Sequence, residues 1–317
     1  MHALQAREAP PAASARVHDE APTPAAPVAA APAKAQEVDA LAEVFWIAPQ
    51  DGTLAELASH WGIPADQLIA LNPDHAPPEP EEGERRRKPL PAPVVPAGAR
   101  LRVFKKDPAE PTRSVGAPNR GRLVSGIPMP EGDEWTIRKN RRRVYGTHKT
   151  ISTLVNVFHA YGQRYPDGPK IHVGEIARRR GGRARPHKSH RTGRDVDIRY
   201  IQHGDDGKPG YRRTTSQNFD LERNWFLVQS LIETGNVQAI YMSSKRQRQI
   251  YPEAKKHLSE EELKRYFQYP FHDESHKAII RHQSGHKNHL HVRFRCEDWN
   301  GRCRARSRSH KKKPATS

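Results

Sequence analysis

The chain has 317 residues, 28% of them charged and 35% hydrophobic, with 28 prolines. That is enough for one sizeable domain and a smaller one, but too polar and too rich in proline for every segment to be packed core. No run of about 18 apolar residues occurs, which excludes a membrane-spanning helix, and the formal charge of +18 attracts polyanions without choosing between nucleic acid and an anionic wall or membrane surface.

Residues 1–43 are Ala- and Pro-rich and without periodicity, which predicts a disordered segment. They lack the continuous apolar stretch of a secretory signal, so localisation has to be inferred from function. Residues 44–104 then read as a small folded unit. The run Val44-Phe45-Trp46-Ile47 is strand-like, and Asp51-Gly52-Thr53-Leu54 makes a turn and a helix cap. Leu54, Leu57, Ala58 and Trp61 recur at helical spacing, and residues 65–71 suggest a second short helix. Leu101-Arg102-Val103 closes the unit as a strand after a turn at Ala97-Gly98.

This βααβ order resembles the LysM module, a binder of N-acetylglucosamine-containing glycans. The matching positions are Asp51-Gly52-Thr53-Leu54, Leu57-Ala58, Leu68, Asn72, and Gly98 with Leu101. The usual Gly-Asp order is inverted, and a charged, Pro-rich insert at roughly 75–91 interrupts the pattern. A small α+β docking unit without glycan affinity is the alternative reading of the same residues.

Residues 105–120 read as a polar linker, and residues 121–300 as the main domain. In that domain Ile151, Leu154, Val155, Phe158 and Tyr161 form one apolar helical face. A second helix is predicted over 220–234 on the stripe Leu221, Trp225, Val228, Leu231 and Ile232, and a strand over 237–242. Ser259 and Glu262 have capping-box spacing before Leu263, Tyr266 and Phe267. Strands and helices mix without a repeating βα unit, so the fold class is α+β: an antiparallel sheet with flanking helices, beside the smaller βααβ unit. Residues 301–317 form a basic tail. With Arg178, Arg179, Arg180, Arg183 and Arg185 it holds much of the positive charge, and it reads equally well as a solvated surface. Cys296 and Cys303 lie outside any CxxC pair, leaving a short disulfide or two thiols.

Two segments carry chemistry. One is His187-Lys188-Ser189-His190-Arg191-Thr192-Gly193-Arg194-Asp195-Val196-Asp197-Ile198, and the other Gly285-His286-Lys287-Asn288-His289-Leu290-His291-Val292-Arg293-Phe294. In each, polar and apolar residues alternate over the later half, as in a half-buried strand. Asp195 and Asp197 share one face, and so do His289 and His291. If the strands are neighbours, that face gathers carboxylate and imidazole, and His190 can fold over it across a turn at Gly193. Two imidazoles and a carboxylate suit Zn²⁺ with a fourth position open. Scattered histidines such as His18 and His60 carry no signal, and His272, His276 and His282 read as surface residues. Asp195 serves either to orient a ligand imidazole or as a solvated strand carboxylate.

The pattern His-x-x-His-x-x-Gly-x-Asp-Val-Asp, followed by His-x-x-His-x-His, resembles the penicillin-insensitive murein endopeptidases over about residues 121–300. These are zinc peptidases related to D-Ala-D-Ala carboxypeptidases, lysostaphin-type enzymes and hedgehog amino-terminal domains. The resemblance implies His190, Asp197 and His291 as zinc ligands. It implies His289 as general base or transition-state stabiliser, with His286 and His187 as auxiliary catalytic residues at the rim. A second metal held by some members finds no counterpart here. The position between His286 and His289 that is often acidic in the family is Asn288, which bears on local pKa tuning and not on the ligands.

The substrate so implied is the D-Ala to diaminopimelate cross-link of peptidoglycan, with stem peptides and glycan strands as partners and a periplasmic or wall-associated location. A tethered glycan-binding module would concentrate such an enzyme on its insoluble target. A D-Ala-D-Ala carboxypeptidase of the same zinc group is one rival reading, and a non-catalytic wall-binding protein with a structural metal is another. Nucleic acid is not expected as a partner, because no aromatic-interleaved basic platform or recognised nucleic-acid module accompanies the charge.

Overall fold

The computed structural model describes residues 41–78, 91–137, 140–205, 207–208, 210, 212–271 and 277–305. Most of the segment expected to be disordered over 1–43, the middle of the charged insert, His272, His276 and the tail beyond residue 305 lie outside the described residues.

Alternation builds the first strand, β1 (Glu43–Ile47), with Val44 and Trp46 turned inward. A short strand β2 (Gly52–Thr53) leads into α1 (Leu54–Trp61). Thr53 and Glu56 cap that helix reciprocally: Thr53 Oγ1 accepts from the Glu56 N–H at 3.3 Å, and the Glu56 carboxylate accepts from the Thr53 N–H at 2.8 Å. Two amide donors that the helix leaves open are thereby satisfied. After α2 (Ala65–Leu71) and β3 (Val94–Val95), β4 (Arg100–Lys105) returns antiparallel beside β1. Asn72 braces the end of α2 against β4. Its Nδ2 donates to the carbonyls of Leu68 and Arg102 at 2.8 and 2.9 Å, and its Oδ1 accepts from the Arg102 N–H at 2.9 Å.

These strands and helices are docked on the larger part of the molecule instead of hanging from a tether. Trp46 Nε1 donates to the Met129 carbonyl at 2.9 Å, and the Arg142 guanidinium donates to the carbonyls of Ser59 and His60. One apolar core runs from Leu41 and Trp46 through to Phe294. The segment 105–120, expected to be linker, also contains structure. Its second half forms β5 (Arg113–Ala117), which pairs antiparallel with β6 (Arg120–Val124). Ser114 is fully buried there, and its carbonyl accepts from Asn300 Nδ2 at 2.9 Å. Polar composition predicts solvent exposure, but these polar groups find their partners inside the protein.

Next come β7 (Ile127–Pro128), β8 (Trp135–Ile137), β9 (Tyr145–Gly146), α3 (His148–Arg164), β10 (Ile171–Val173) and β11 (Asp195–Arg199). They are followed by α4 (Leu221–Glu233), β12 (Val237–Met242), α5 (Ser244–Ala254), α6 (Glu260–Tyr266), β13 (Ile280–His282) and β14 (His289–Phe294). The helical stripes expected on α3 and α4 are buried except for Leu221, which is half-buried, and the two helices pack on each other.

The main sheet has six strands in the order β13-β12-β14-β11-β10-β8. Only its interior is antiparallel as expected. β12 runs parallel to β13 and β10 parallel to β8, so the sheet is mixed. Parallel neighbours need long crossovers, and the chain supplies them with α3 between β8 and β10 and with α5 and α6 between β12 and β13. Cys296 and Cys303 form a disulfide just beyond β14.

Candidate metal centre

The centre lies on the middle strands of this sheet. In register, Asp197 of β11 stands opposite His291 of β14, which stands opposite Tyr241 of β12. Directly paired residues point to the same face, so carboxylate, imidazole and phenol form one row across three strands. Val196, Ile198, Leu290 and Val292 face the other way and are fully buried in the apolar core.

His190 reaches this row from the preceding loop. Its backbone is left-handed, with φ 61°, a conformation costing a residue that bears a Cβ roughly 1–2 kcal/mol. The turn that follows requires Gly193. Its φ is 72°, and an added Cβ would stand 2.7 Å from the Leu123 side chain and 3.1 Å from Gly146 Cα. Beneath the row, a Cβ on Gly174 would meet the Asp197 carbonyl oxygen at 2.8 Å, so the backbone approaches the carboxylate's own strand as closely as glycine permits.

Three donor atoms then form a near-equilateral triangle. His190 Nε2 and His291 Nδ1 each lie 3.2 Å from Asp197 Oδ1, and 3.2 Å from one another. The other ring nitrogens fix the tautomers. His190 Nδ1 is 3.0 Å from the Ile176 carbonyl, an acceptor, so that nitrogen carries hydrogen and Nε2 is left as a lone pair. His291 Nε2 is 2.8 Å from Asp195 Oδ1 and donates to it, which leaves Nδ1 facing Asp197. Among the described residues, neither of the two buried Asp197 oxygens accepts a hydrogen bond. Negative charge and lone pairs thus converge on one point, and such an arrangement calls for a cation. A proton can fill the role. Burial opposes charge on His291, but its hydrogen bond to Asp195 and the neighbouring Asp197 carboxylate override it and raise this imidazole to about 9. Asp197 is correspondingly held well below the usual carboxylate range, its burial outweighed by His190 and His291.

His187 closes the open side. Its Nδ1 is 3.7 Å from Asp197 Oδ2, and its Nε2 is 3.3 Å from Glu175 Oε2. The donor atoms of His187, His190 and Asp197 lie within 4.8 Å of one another, so this group could hold a metal ion. His291 and His187 are therefore alternative third donors, and the His291 contacts are the shorter. His289 Nε2 is 3.8 Å from Asp197 Oδ1. Burial pushes that imidazole down to about 4, leaving it uncharged at neutral pH. The His286 ring lies 4.9 Å from that of His289, tilted by 47°, and burial lowers it too, as it does His187. His187, His286, His291 and Tyr241 line a cavity of about 440 Å³. His282, by contrast, is exposed and accepts from the Ser244 N–H at the start of α5, at 3.0 Å.

The structure brings all six histidine and aspartate candidates together and adds residues that the motifs did not reveal. Asp195 is buried, not solvated: its Oδ1 accepts from Arg293 Nε at 2.7 Å as well as from His291. Arg293 Nη1 donates to Tyr241 at 3.2 Å, and Glu175 binds Arg143 through both oxygens, at 2.8 and 3.0 Å. The alternation of β14 could have placed Arg293 on the site face, but Tyr241 and Glu175 arrive by long-range pairing. Asn288 points elsewhere, its Oδ1 accepting from the Thr214 N–H at 3.0 Å, so it fastens a loop and leaves the metal centre alone.

No helix among the described residues is long and apolar enough to cross a membrane. No curated protein matches the chain. The family profile described as penicillin-insensitive murein endopeptidase matches residues 114–315, which include every residue of the centre. The chain therefore belongs to the penicillin-insensitive murein endopeptidases, a family of peptidases acting on murein.

Proposed function

We propose that the protein is a zinc-dependent endopeptidase that hydrolyses the D-Ala to diaminopimelate cross-link of peptidoglycan at the periplasmic face of the wall. The observation carrying the metal assignment is the 3.2 Å triangle of His190 Nε2, Asp197 Oδ1 and His291 Nδ1. Two imidazole nitrogens and a carboxylate oxygen are donor types that zinc takes, so these three residues would hold the ion. A zinc ion held there would supply Lewis acidity towards a carbonyl oxygen and would lower the pKa of a water towards neutral.

The protein's own groups do the rest. Asp195 orients the His291 ring, and Arg293 holds Asp195 in place. His289, uncharged and beside the triangle, accepts the proton of the attacking water or donates a hydrogen bond to the developing oxyanion. His286 and His187, at the cavity wall, are placed to pass a proton to the departing amine. The residues 43–105, β1 to β4, are assigned a LysM-like role on the glycan strand. The Asn72 brace and the Thr53–Glu56 cap support that assignment, because both engage positions of the motif.

Digestion of purified, diaminopimelate-type peptidoglycan tests the reading. Cross-linked muropeptide dimers are expected to give way to monomers, with about one zinc per protein. Loss of terminal D-Ala with the dimers intact would replace the endopeptidase by a carboxypeptidase.

A further inference from the structure

The cavity at the metal centre is lined by charge of one sign. Lys188 and Arg293 border it beside His187, His286 and His291, and no acidic residue is among those that line it. Arg293 reaches it from β14, two residues beyond His291 and so on the same face of the strand. Its Nε donates to Asp195 at 2.7 Å and its Nη1 to the Tyr241 hydroxyl at 3.2 Å, while the guanidinium carbon lies 5.3 Å from the Tyr241 ring centre. Nη2 has no acceptor among the described residues and is not buried, which leaves its N–H groups to whatever enters. Lys188, on the loop that carries His187 and His190, is exposed and makes no hydrogen bond or ion pair among the described residues.

We infer that Lys188 and Arg293 bind a substrate carboxylate placed beside the scissile amide, and so decide which peptides this site accepts. The inference rests on the murein reading for the identity of the substrate. In the D-Ala to diaminopimelate cross-link, the carbon bonded to the amide nitrogen also bears a free carboxylate. The departing amine therefore brings a negative charge with it, one carbon away from the bond that breaks. His187 and His286 are the residues placed to protonate that amine, and Lys188 follows His187 in the chain. A carboxylate on the same carbon falls among the cations of the cavity.

The two cations act differently. Asp195 and Tyr241 hold the Arg293 guanidinium, so its remaining N–H groups are aimed before a ligand arrives. Lys188 carries its charge on a four-carbon stem and can follow the carboxylate into place. A neutral carboxamide at that position would take one acceptor oxygen into the cavity and no charge. Discrimination then comes from the cations left without a counter-ion.

The test uses the full chain saturated with zinc, and two forms of a ketomethylene isostere of D-alanyl-diaminopimelate. Its replaced amide cannot be hydrolysed. One form bears the carboxylate beside the replaced amide, and the other a carboxamide. Titration calorimetry is expected to show the carboxylate form binding at least about tenfold more tightly. Lys188→Met is expected to cut that preference at least about threefold, the scale of a partly solvated ion pair, and Lys188→Arg to retain it. Equal affinities for the wild type would overturn the inference, as would failure of both forms to bind at millimolar concentration. A preference that Lys188→Met leaves unchanged would assign the carboxylate to the metal and overturn it too. Neither ligand is cleaved, so the outcome is separate from the peptidase reading. Cleavage of muropeptide dimers with equal affinities would remove the carboxylate site alone, and a clear preference without dimer cleavage would remove the endopeptidase alone.

Discussion

Arg194 and Asp197 lie three residues apart around the start of β11, both buried, and their surroundings are opposite in kind. Around Arg194 each guanidinium nitrogen has an acceptor: Nε donates to Ser114 Oγ at 3.1 Å, Nη1 to the Phe294 carbonyl at 2.8 Å and Nη2 to the Arg304 carbonyl at 2.9 Å. The guanidinium thereby ties β5, β14 and the segment just after the disulfide loop together. Around Asp197 the neighbours are imidazoles with lone pairs turned inward, and among the described residues neither carboxylate oxygen has a hydrogen-bond donor. A buried charge with a full set of partners holds a structure together, whereas one left short marks a place prepared for something else.

The contrast is broken most strongly at the triangle. Asp197→Ala, His190→Ala and His291→Ala are each expected to lose bound zinc and at least about 10³-fold in peptidoglycan cleavage, since each removes a group that holds the Lewis acid. Elemental analysis decides: stoichiometric zinc in all three variants would refute the ligand set. His289→Ala should keep its zinc yet lose about 10²–10⁴-fold in kcat, the range for a group that acts on protons or on the oxyanion. Loss of zinc there as well would make His289 a ligand.

Arg194→Met should instead destabilise the fold by about 3–5 kcal/mol, because Ser114 Oγ and the Phe294 and Arg304 carbonyls each lose a donor at a cost of roughly 1–3 kcal/mol. That corresponds to a fall of roughly 10 °C in Tm, while the folded fraction still binds zinc. A variant with normal Tm and no zinc would reverse the distinction drawn between the two residues. Asp195→Asn is intermediate, with an expected loss of about 10–100-fold in zinc affinity measured against a competing chelator, because it disturbs the hydrogen bond that orients His291.

The smallest effect is one of pH. In metal-free protein the folded His291 keeps its proton up to about 9 although its ordinary value is 6.5. The folded state therefore binds this proton more tightly than the unfolded state. The resulting stability is fully present below the unfolded value and is lost as pH rises through the folded one. Denaturation of chelator-treated protein across that window should show the decline, and saturation with zinc should abolish it.

Local patterns sufficed for much of this protein. The α1 and α6 caps, the stripes of α3 and α4, and the strands over 237–242 and 289–294 follow from periodicity and capping chemistry, which act within a few residues. The same short-range logic put Asp195 with Asp197, and His289 with His291, on common faces, because side chains alternate along any strand. Tertiary structure alone decided the rest. The pairing of Asp197 with His291 and Tyr241, the parallel edges of the sheet, and the burial of Ser114 in the expected linker against Asn300 all depend on which distant segments meet. So does the difference between Arg194 and Asp197. The sequence shows two charged residues in one short stretch, and only the folded chain determines whether each buried charge meets partners donated from other strands.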